Sequence, residues 1–251
     1  MIFEQFSQGN SLLHRTDTRV KLVSATALTL VLALTKSYQV ASYGLVLATL
    51  LVFMARLNLK SVLLRLAVVN SFTIFLWLTL PLTYPGQAIA TLGPLGISGA
   101  GVHMALLITL KTNGIVLLCI ALLATSNIAD IGHSLNRLHF PEKLCLLLLF
   151  SYRYVFLIHQ EFQRLVRAAR LRCFRPATNM HTYRTYGYLF GMTLVNSWHR
   201  AERVNQAMTL RGFHGRFYSL NEKSCSRSDL VFVVAMIFVA AGLGSFELLV
   251  L

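Results

Sequence analysis

Leu144-Cys145-Leu146-Leu147-Leu148-Leu149-Phe150-Ser151-Tyr152-Arg153-Tyr154-Val155-Phe156-Leu157-Ile158 is dominated by apolar and aromatic side chains, and whether it crosses a membrane sets the topology of everything after it. A crossing helix needs about 20 residues to cover roughly 30 Å of hydrocarbon, and a charge inside it is expensive. This run is shorter and carries Arg153. Between 160 and 228 lie 12 of the chain's 23 Lys and Arg, against three acids, Glu161, Glu202 and Glu222. Excess Lys and Arg mark the cytoplasmic side of a membrane protein. With a cytoplasmic N-terminus, four earlier spans bring the chain back inside by Thr125, and one more crossing would put those cations on the wrong face. Residues 144–158 therefore read as a non-crossing apolar slab, lodged at the interface or against a partner subunit.

Composition supports the membrane assignment. With 251 residues, 55% of them hydrophobic, 13% charged and a mean hydropathy of +0.61, the chain lies outside the range of soluble globular domains. The formal charge of +14 reads as topology rather than as nucleic-acid binding. Cys119, Cys145, Cys173 and Cys225 form no close pair, so they read as packing residues or free thiols.

Upstream, Thr16 or Asp17 is the expected N-cap of a first, uncleaved span from Leu22 to about Leu34. A second span runs from about Val40 to Ala55. Arg56 to Arg65 alternates basic and apolar positions at helical spacing, as in a helix lying at the cytoplasmic interface. A third span from Leu66 to Leu80 is expected to end at Pro81. Leu82 to Gly101, uncharged and with Pro85 and Pro94, reads as a turn-filled loop on the far side. A fourth span, Val102 to Leu123, carries Lys111, Thr112 and Asn113 near its middle. A charge there marks a candidate functional site, or a lysine paired inside the protein.

Thr125 to Lys143 is polar, and Pro141 suits the first turn of a helix that runs through the slab to Arg172. A second long helix is expected from about Thr182 to Arg211, with one apolar stripe from Tyr183 to Met208. Gly187 and Gly191 would admit a closely approaching helix. A last span, Leu230 to Leu251, ends the sequence. Within this region a seven-residue pattern occurs twice. Ala168-Ala169-Arg170-Leu171-Arg172-Cys173-Phe174 matches Ala207-Met208-Thr209-Leu210-Arg211-Gly212-Phe213 at Ala, Leu, Arg and Phe. Each copy closes a predicted helix and offers an Arg where the chain turns away. Gly212 is a natural C-cap. A membrane subunit coupled to a homologous pair of ATPases must present two similar contacts, and guanidinium groups suit them because they hold their charge and bond carboxylates or carbonyls in pairs. Solvated Arg residues favoured by the helix dipole are the plainer alternative.

Other chemistry is absent from the pattern. There is no Gly-x-x-x-x-Gly-Lys-Ser/Thr phosphate loop, the nine acids all lie away from the middle of the spans, and the eight His are scattered. The reading expects no catalytic residue, no cofactor and no metal site in this chain.

These residues resemble the transmembrane coupling subunit of energy-coupling factor transporters, in particular the cobalt or nickel type called CbiQ. The family's two Ala-Arg-Gly-like motifs are similar to Leu171-Arg172-Cys173, with Cys in place of Gly, and to Leu210-Arg211-Gly212. Asp17-Thr18-Arg19-Val20-Lys21 resembles the family's Asp-Pro-Arg-x-Lys opening with Thr18 for Pro, and Tyr152-Arg153-Tyr154 leading into Glu161 resembles the stretch before the first motif. The resemblance implies a complex with two ABC ATPase subunits and a small membrane subunit that binds the substrate. Metal would sit on that other subunit, and the slab would be a natural seat for it.

The expectation is thus an all-α polytopic membrane protein with about five transmembrane helices and a cytoplasmic pair of long crossing helices, in the cell inner membrane and with no nucleic-acid partner. It divides into four spans over 1–124, a coupling region over 125–228 and a last span over 229–251. Ala168, Leu171, Arg172, Cys173, Ala207, Leu210, Arg211 and Gly212 are the expected ATPase-docking residues, and Lys111, Tyr152 and Arg153 are further partner-facing candidates. The competing readings are a self-sufficient channel or carrier lined by Lys111 and Asn113, which would transport when purified alone, and a membrane-tethered nucleic-acid binder, whose RNA affinity would fall steeply with salt.

Overall fold

Asp17 opens the first long helix: its carboxylate accepts the Arg19 amide at 3.1 Å, satisfying one of the donors that a helix start leaves free. The computed structural model describes residues 9, 11–85, 88–92, 95–213, 215 and 227–250. Glu4, Pro94, Arg216, Glu222, Lys223, Cys225 and Leu251 lie outside the described residues. The described elements are, in order, α1 (Leu12–Arg15), α2 (Thr18–Leu34), α3 (Tyr38–Met54), α4 (Leu59–Thr83), β1 (Ala88–Leu92), β2 (Leu95–Ser98), α5 (Gly99–Leu122), α6 (Ile128–Arg137), α7 (Glu142–Leu171), α8 (Met180–Leu210) and α9 (Arg227–Val250). They form two compact units, one of Met1–Ile131 with Glu222–Leu251 and one of Gly132–Asn221.

In the first unit α2, α3, α5 and α9 bury a shared core that includes Leu28, Leu32, Leu51, Leu118, Ala121 and Met236. Lipid tails are as apolar as leucine, so helices in a bilayer associate through close packing rather than through the hydrophobic effect. Small residues supply that closeness. Ala41, Gly44 and Ala48 recur on one face of α3, and a Cβ on Gly44 would overlap the Leu32 side chain of α2. The α3 backbone at Leu45 passes 3.6 Å from where a Cβ on Gly114 would lie. α4 packs on α5 and leaves Leu63, Leu64, Val68, Phe72, Phe75 and Leu78 exposed, an apolar face suited to lipid.

The protein is an all-α polytopic membrane protein, in which the described residues add one short antiparallel pair of strands. All five expected spans coincide with helices of this unit. Among the described residues, α4, α5 and Ser228–Glu247 of α9 are long and apolar enough to cross a membrane; α2 and α3 are shorter, at 17 residues each.

Several local expectations need correction. Pro81 does not end the third span: α4 continues to Thr83 with Pro81 buried inside it. A proline near a helix C-terminus removes only one late hydrogen bond, and the α4 backbone here is held close to α5, since a Cβ on Gly101 would lie 2.8 Å from Pro81 Cα. Arg56–Arg65 is not a separate interfacial helix. Arg56 adopts a positive φ of 50°, and α4 then starts at Leu59 with Asn58 as its cap and runs on unbroken. The expected loop over Leu82–Gly101 instead contains the antiparallel pair β1–β2 and the first residues of α5. The polar stretch after Thr125 forms α6.

In the second unit α7 and α8 pack against each other. α8 starts at Met180, two residues ahead of the expected start, with Asn179 as its cap, whose side-chain oxygen accepts the Thr182 amide at 3.1 Å and the Thr182 hydroxyl at 2.8 Å. Gly187 and Gly191 admit no close neighbour here: nothing described lies within 4 Å of a Cβ placed on either.

Candidate functional site

The two copies of the repeated pattern end α7 and α8 with the same backbone geometry. At the α7 end the Arg172 amide bonds Ala168 O and Ala169 O at 3.3 and 3.0 Å, the Cys173 amide bonds Arg170 O at 3.1 Å, and the Phe174 amide reaches back to Ala169 O at 3.1 Å. At the α8 end the Arg211 amide bonds Ala207 O and Met208 O at 3.2 and 3.1 Å, Gly212 bonds Thr209 O at 3.0 Å, and Phe213 bonds Met208 O at 3.0 Å. The outer pair of bonds in each set is the Schellman closure, which requires a left-handed residue just past the last helical turn. Gly212 supplies it at φ 75° without strain, whereas Cys173 supplies it at φ 63° at a cost of about 1–2 kcal/mol for a residue with a Cβ.

The closure sets what each tip displays. Ala168, Leu171 and Arg172 fall at i, i+3 and i+4, and so do Ala207, Leu210 and Arg211, so each trio shares one helical face. All six are exposed. Leu171 is 87% exposed and Leu210 89%, among the most exposed large apolar side chains described. The phenylalanine shared by both copies after the turn does the opposite. Phe174 and Phe213 are half-buried; Phe174 packs edge-on against Tyr186 at 5.8 Å. Each tip is therefore a knob of one leucine and one guanidinium, braced from behind by a phenylalanine. Phe174 rests beside the start of α8 while Phe213 follows its end, so the knobs lie on the order of 35 Å apart along α8 at 1.5 Å per residue.

The crossing of α7 and α8 holds the tips in place. Phe162 stacks on Phe190 with centroids 4.6 Å apart and planes 19° from parallel. Beside them Glu161, 8% exposed, accepts from Arg164 Nη2 at 2.7 Å and from Asn196 Nδ2 at 3.1 Å, with Arg200 Nη2 3.9 Å from its other oxygen. Sequence reasoning placed Glu161 near the first tip without giving it this role; its being the sole acid between Glu142 and Glu202 was the available signal. Beside the crossing the helices enclose an apolar groove of about 780 Å³, lined by Leu146, Phe150, Val155, Trp198, Val204 and Phe213 among others. One wall is the 144–158 slab. Leu144, Leu147 and Val155 remain more than half exposed, and so do Leu194 and Trp198 on the α8 stripe.

The remaining candidates lie elsewhere. Tyr152 is half-buried edge-on to Phe156, and Arg153 is exposed with its guanidinium 6.0 Å from the Tyr154 ring centroid. Lys111 belongs to the other unit, where its ammonium donates to Ala33 O at 3.1 Å in the last turn of α2, an end whose carbonyls lack helical partners. Asn113 donates to Asn70 Oδ1 of α4 and to Thr109 O. Among the described residues, no three His, Cys, Asp or Glu side chains gather as metal ligands would.

Residues 9–221 match the family described as CbiQ, cobalt transport protein. The energy-coupling factor transporter transmembrane protein EcfT of Macrococcus caseolyticus is 24% identical over 86% of this chain and 85% of its own length. An uncharacterised protein of Methanocaldococcus jannaschii is 20% identical over 98% of this chain and 87% of its own. The nickel permease LarQ of Lactiplantibacillus plantarum is 31% identical over a shorter stretch, 37% of this chain and 33% of its own. Since the family match takes in four of the five apolar helices, the α7–α8 crossing and both tips, the chain belongs to the CbiQ family of cobalt transport proteins.

Proposed function

We propose that this membrane protein is the non-enzymatic coupling subunit of an ATP-driven energy-coupling factor importer in the cell inner membrane, with cobalt or nickel as cargo. The observation that carries the proposal is the pair of equivalent knobs, Leu171 with Arg172 and Leu210 with Arg211. Two like contacts, held apart by one stiff helix, suit two like partners, and an ABC ATPase pair offers a cleft on each subunit. An exposed leucine brings apolar contact area to such a cleft, and the adjacent guanidinium can bond carboxylates or helix-end carbonyls inside it. The 125–228 region and the N-terminus are then cytoplasmic, in keeping with the concentration of Lys and Arg.

The apolar groove and the exposed slab beside it serve the third partner, a small membrane protein that binds the cargo. Its apolar helices would cover Leu147, Val155 and Trp198, which are costly to leave facing water. The carrier alternative has less support, because Lys111 and Asn113 spend donors on bonds between helices, as packing residues do.

The test is the double substitution Arg172→Ala with Arg211→Ala. Uptake of cobalt or nickel should be abolished and recovery of the ATPase with this chain weakened, while the chain still inserts in the membrane. Uptake at the wild-type rate would overturn the proposal.

A further inference from the structure

Lys21 is 1% exposed, the largest of the fully buried side chains among the described residues. Its ammonium donates to Thr125 Oγ1 at 3.3 Å and to Ser126 Oγ at 3.2 Å. Thr125 in turn donates its own proton to Ala121 O or Leu122 O, so its hydroxyl faces the ammonium as an acceptor. One turn before Lys21, the Asp17 amide donates to Asp229 Oδ1 at 3.4 Å, and both aspartates are buried. Asp229 stands in the first turn of α9, where the helix dipole favours a negative charge.

The location of these partners matters more than their number. The chain passes between its two units twice, within α6 after Ile131 and again on returning at Glu222. Thr125 and Ser126 lie in the turn between α5 and α6, and the α6 amide at Ala129 is capped by Asn127. Asp229 opens the first helix after the return. One five-residue stretch, Asp17 to Lys21, therefore holds the membrane-side root of both connections. Another polar cluster of this unit is different. Glu247 accepts from the Lys36 amide at 2.6 Å and the Ser37 hydroxyl at 2.7 Å, and so fastens α9 to the α2–α3 turn, which leads to no connection.

A buried lysine is a poor way to gain stability, since a well-packed apolar side chain of similar size does as well or better. A buried polar network joining several helices does specify one arrangement of the elements it joins. We infer that Asp17, Lys21 and Asp229 form a clamp that fixes both connections between the units, so that movement of the α7–α8 unit is passed to the membrane helices instead of being absorbed at slack joints. Lys21 is a positioning residue in this scheme. Its role in transport rests on the coupling function proposed above, whereas the clamp itself does not.

The test uses Lys21→Met in the full chain, with Glu247→Gln as a comparison that loosens the opposite end of the same unit. Amide hydrogen exchange on the detergent-solubilised chain alone should quicken at both roots, 123–131 and 227–232, in Lys21→Met. In the complex recovered with ATPase, Lys21→Met should keep ATP hydrolysis yet lose about tenfold in cobalt or nickel uptake per ATP, a typical size for coupling between distant sites. Glu247→Gln should keep the wild-type ratio. An unchanged ratio in Lys21→Met, or faster exchange at one root only, overturns the inference. If the wild-type chain recovers no ATPase, the coupling function fails and exchange alone decides the clamp. Should Lys21→Met not insert, Ser126→Ala, which removes one hydroxyl, is read by the same measurements with a smaller effect.

Discussion

The ends of α7 and α8 carry the same closure on different chemistry. One turns on Gly212, which enters the left-handed region freely, and the other on Cys173, which must be held there. The backbone hydrogen bonds nevertheless agree to within 0.1 Å at each equivalent amide. The difference teaches that glycine is not what makes the tip. The shared Leu-Arg face, the return of the following amide and the bracing phenylalanine are common to both, and a strained cysteine is tolerated because the turn around it is over-determined.

If the tips are equivalent docking knobs, separate substitution of each arginine should have matching effects. Arg172→Ala and Arg211→Ala should each weaken ATPase binding by about 2 kcal/mol, roughly thirtyfold, as truncation of an interface arginine does. A titration of ATPase against reconstituted chain measures both. Losses differing by more than about tenfold, or 1.4 kcal/mol, would break the equivalence.

The next largest effect acts on both tips together. Glu161→Ala deprives Asn196 of an acceptor at the crossing and leaves Arg164 and Arg200 without their carboxylate. Both arginines are partly solvated, so the cost should be about 1–2 kcal/mol, seen as a lower thermal midpoint of the solubilised chain. The smallest effects have opposite signs. Gly212→Ala should destabilise by about 1 kcal/mol, since alanine meets the strain that Cys173 already bears, and Cys173→Gly should stabilise by up to about 1 kcal/mol. Shifts of about 2–4 °C in the midpoint are expected for a chain of this size. A stabilising Gly212→Ala would show that the left-handed turn is not kept in solution.

The helices of the membrane body were legible because long apolar runs separated by cations have few alternatives in a bilayer. The tips were legible for another reason: a repeated Leu-Arg-x-Phe context repeats the local bonding that closes a helix, and such bonding spans only a few residues. Pro81 misled because proline is a helix breaker in general, while its burial against Gly101 depends on another helix. The clamp at Lys21 was hidden for the same kind of reason. Asp17 to Lys21 was noticed as a motif, but its partners Thr125, Ser126 and Asp229 are 104 to 212 positions away, and no local pattern joins them. The groove between α7 and α8 likewise appears only when two amphipathic helices are set at their crossing. What sequence shows in each is an apolar stripe, which reads equally well as a face for lipid, for core or for a partner.

The central claim, that each tip seats in its own ATPase subunit, is tested most directly by photo-crosslinking from Leu171 and from Leu210. A photoreactive amino acid is placed at one position at a time in the full chain, and the assembled complex is irradiated. The account predicts an adduct with an ATPase subunit from both positions, each suppressed when the neighbouring arginine is replaced by alanine. An intact complex that yields no ATPase adduct from either position would contradict it.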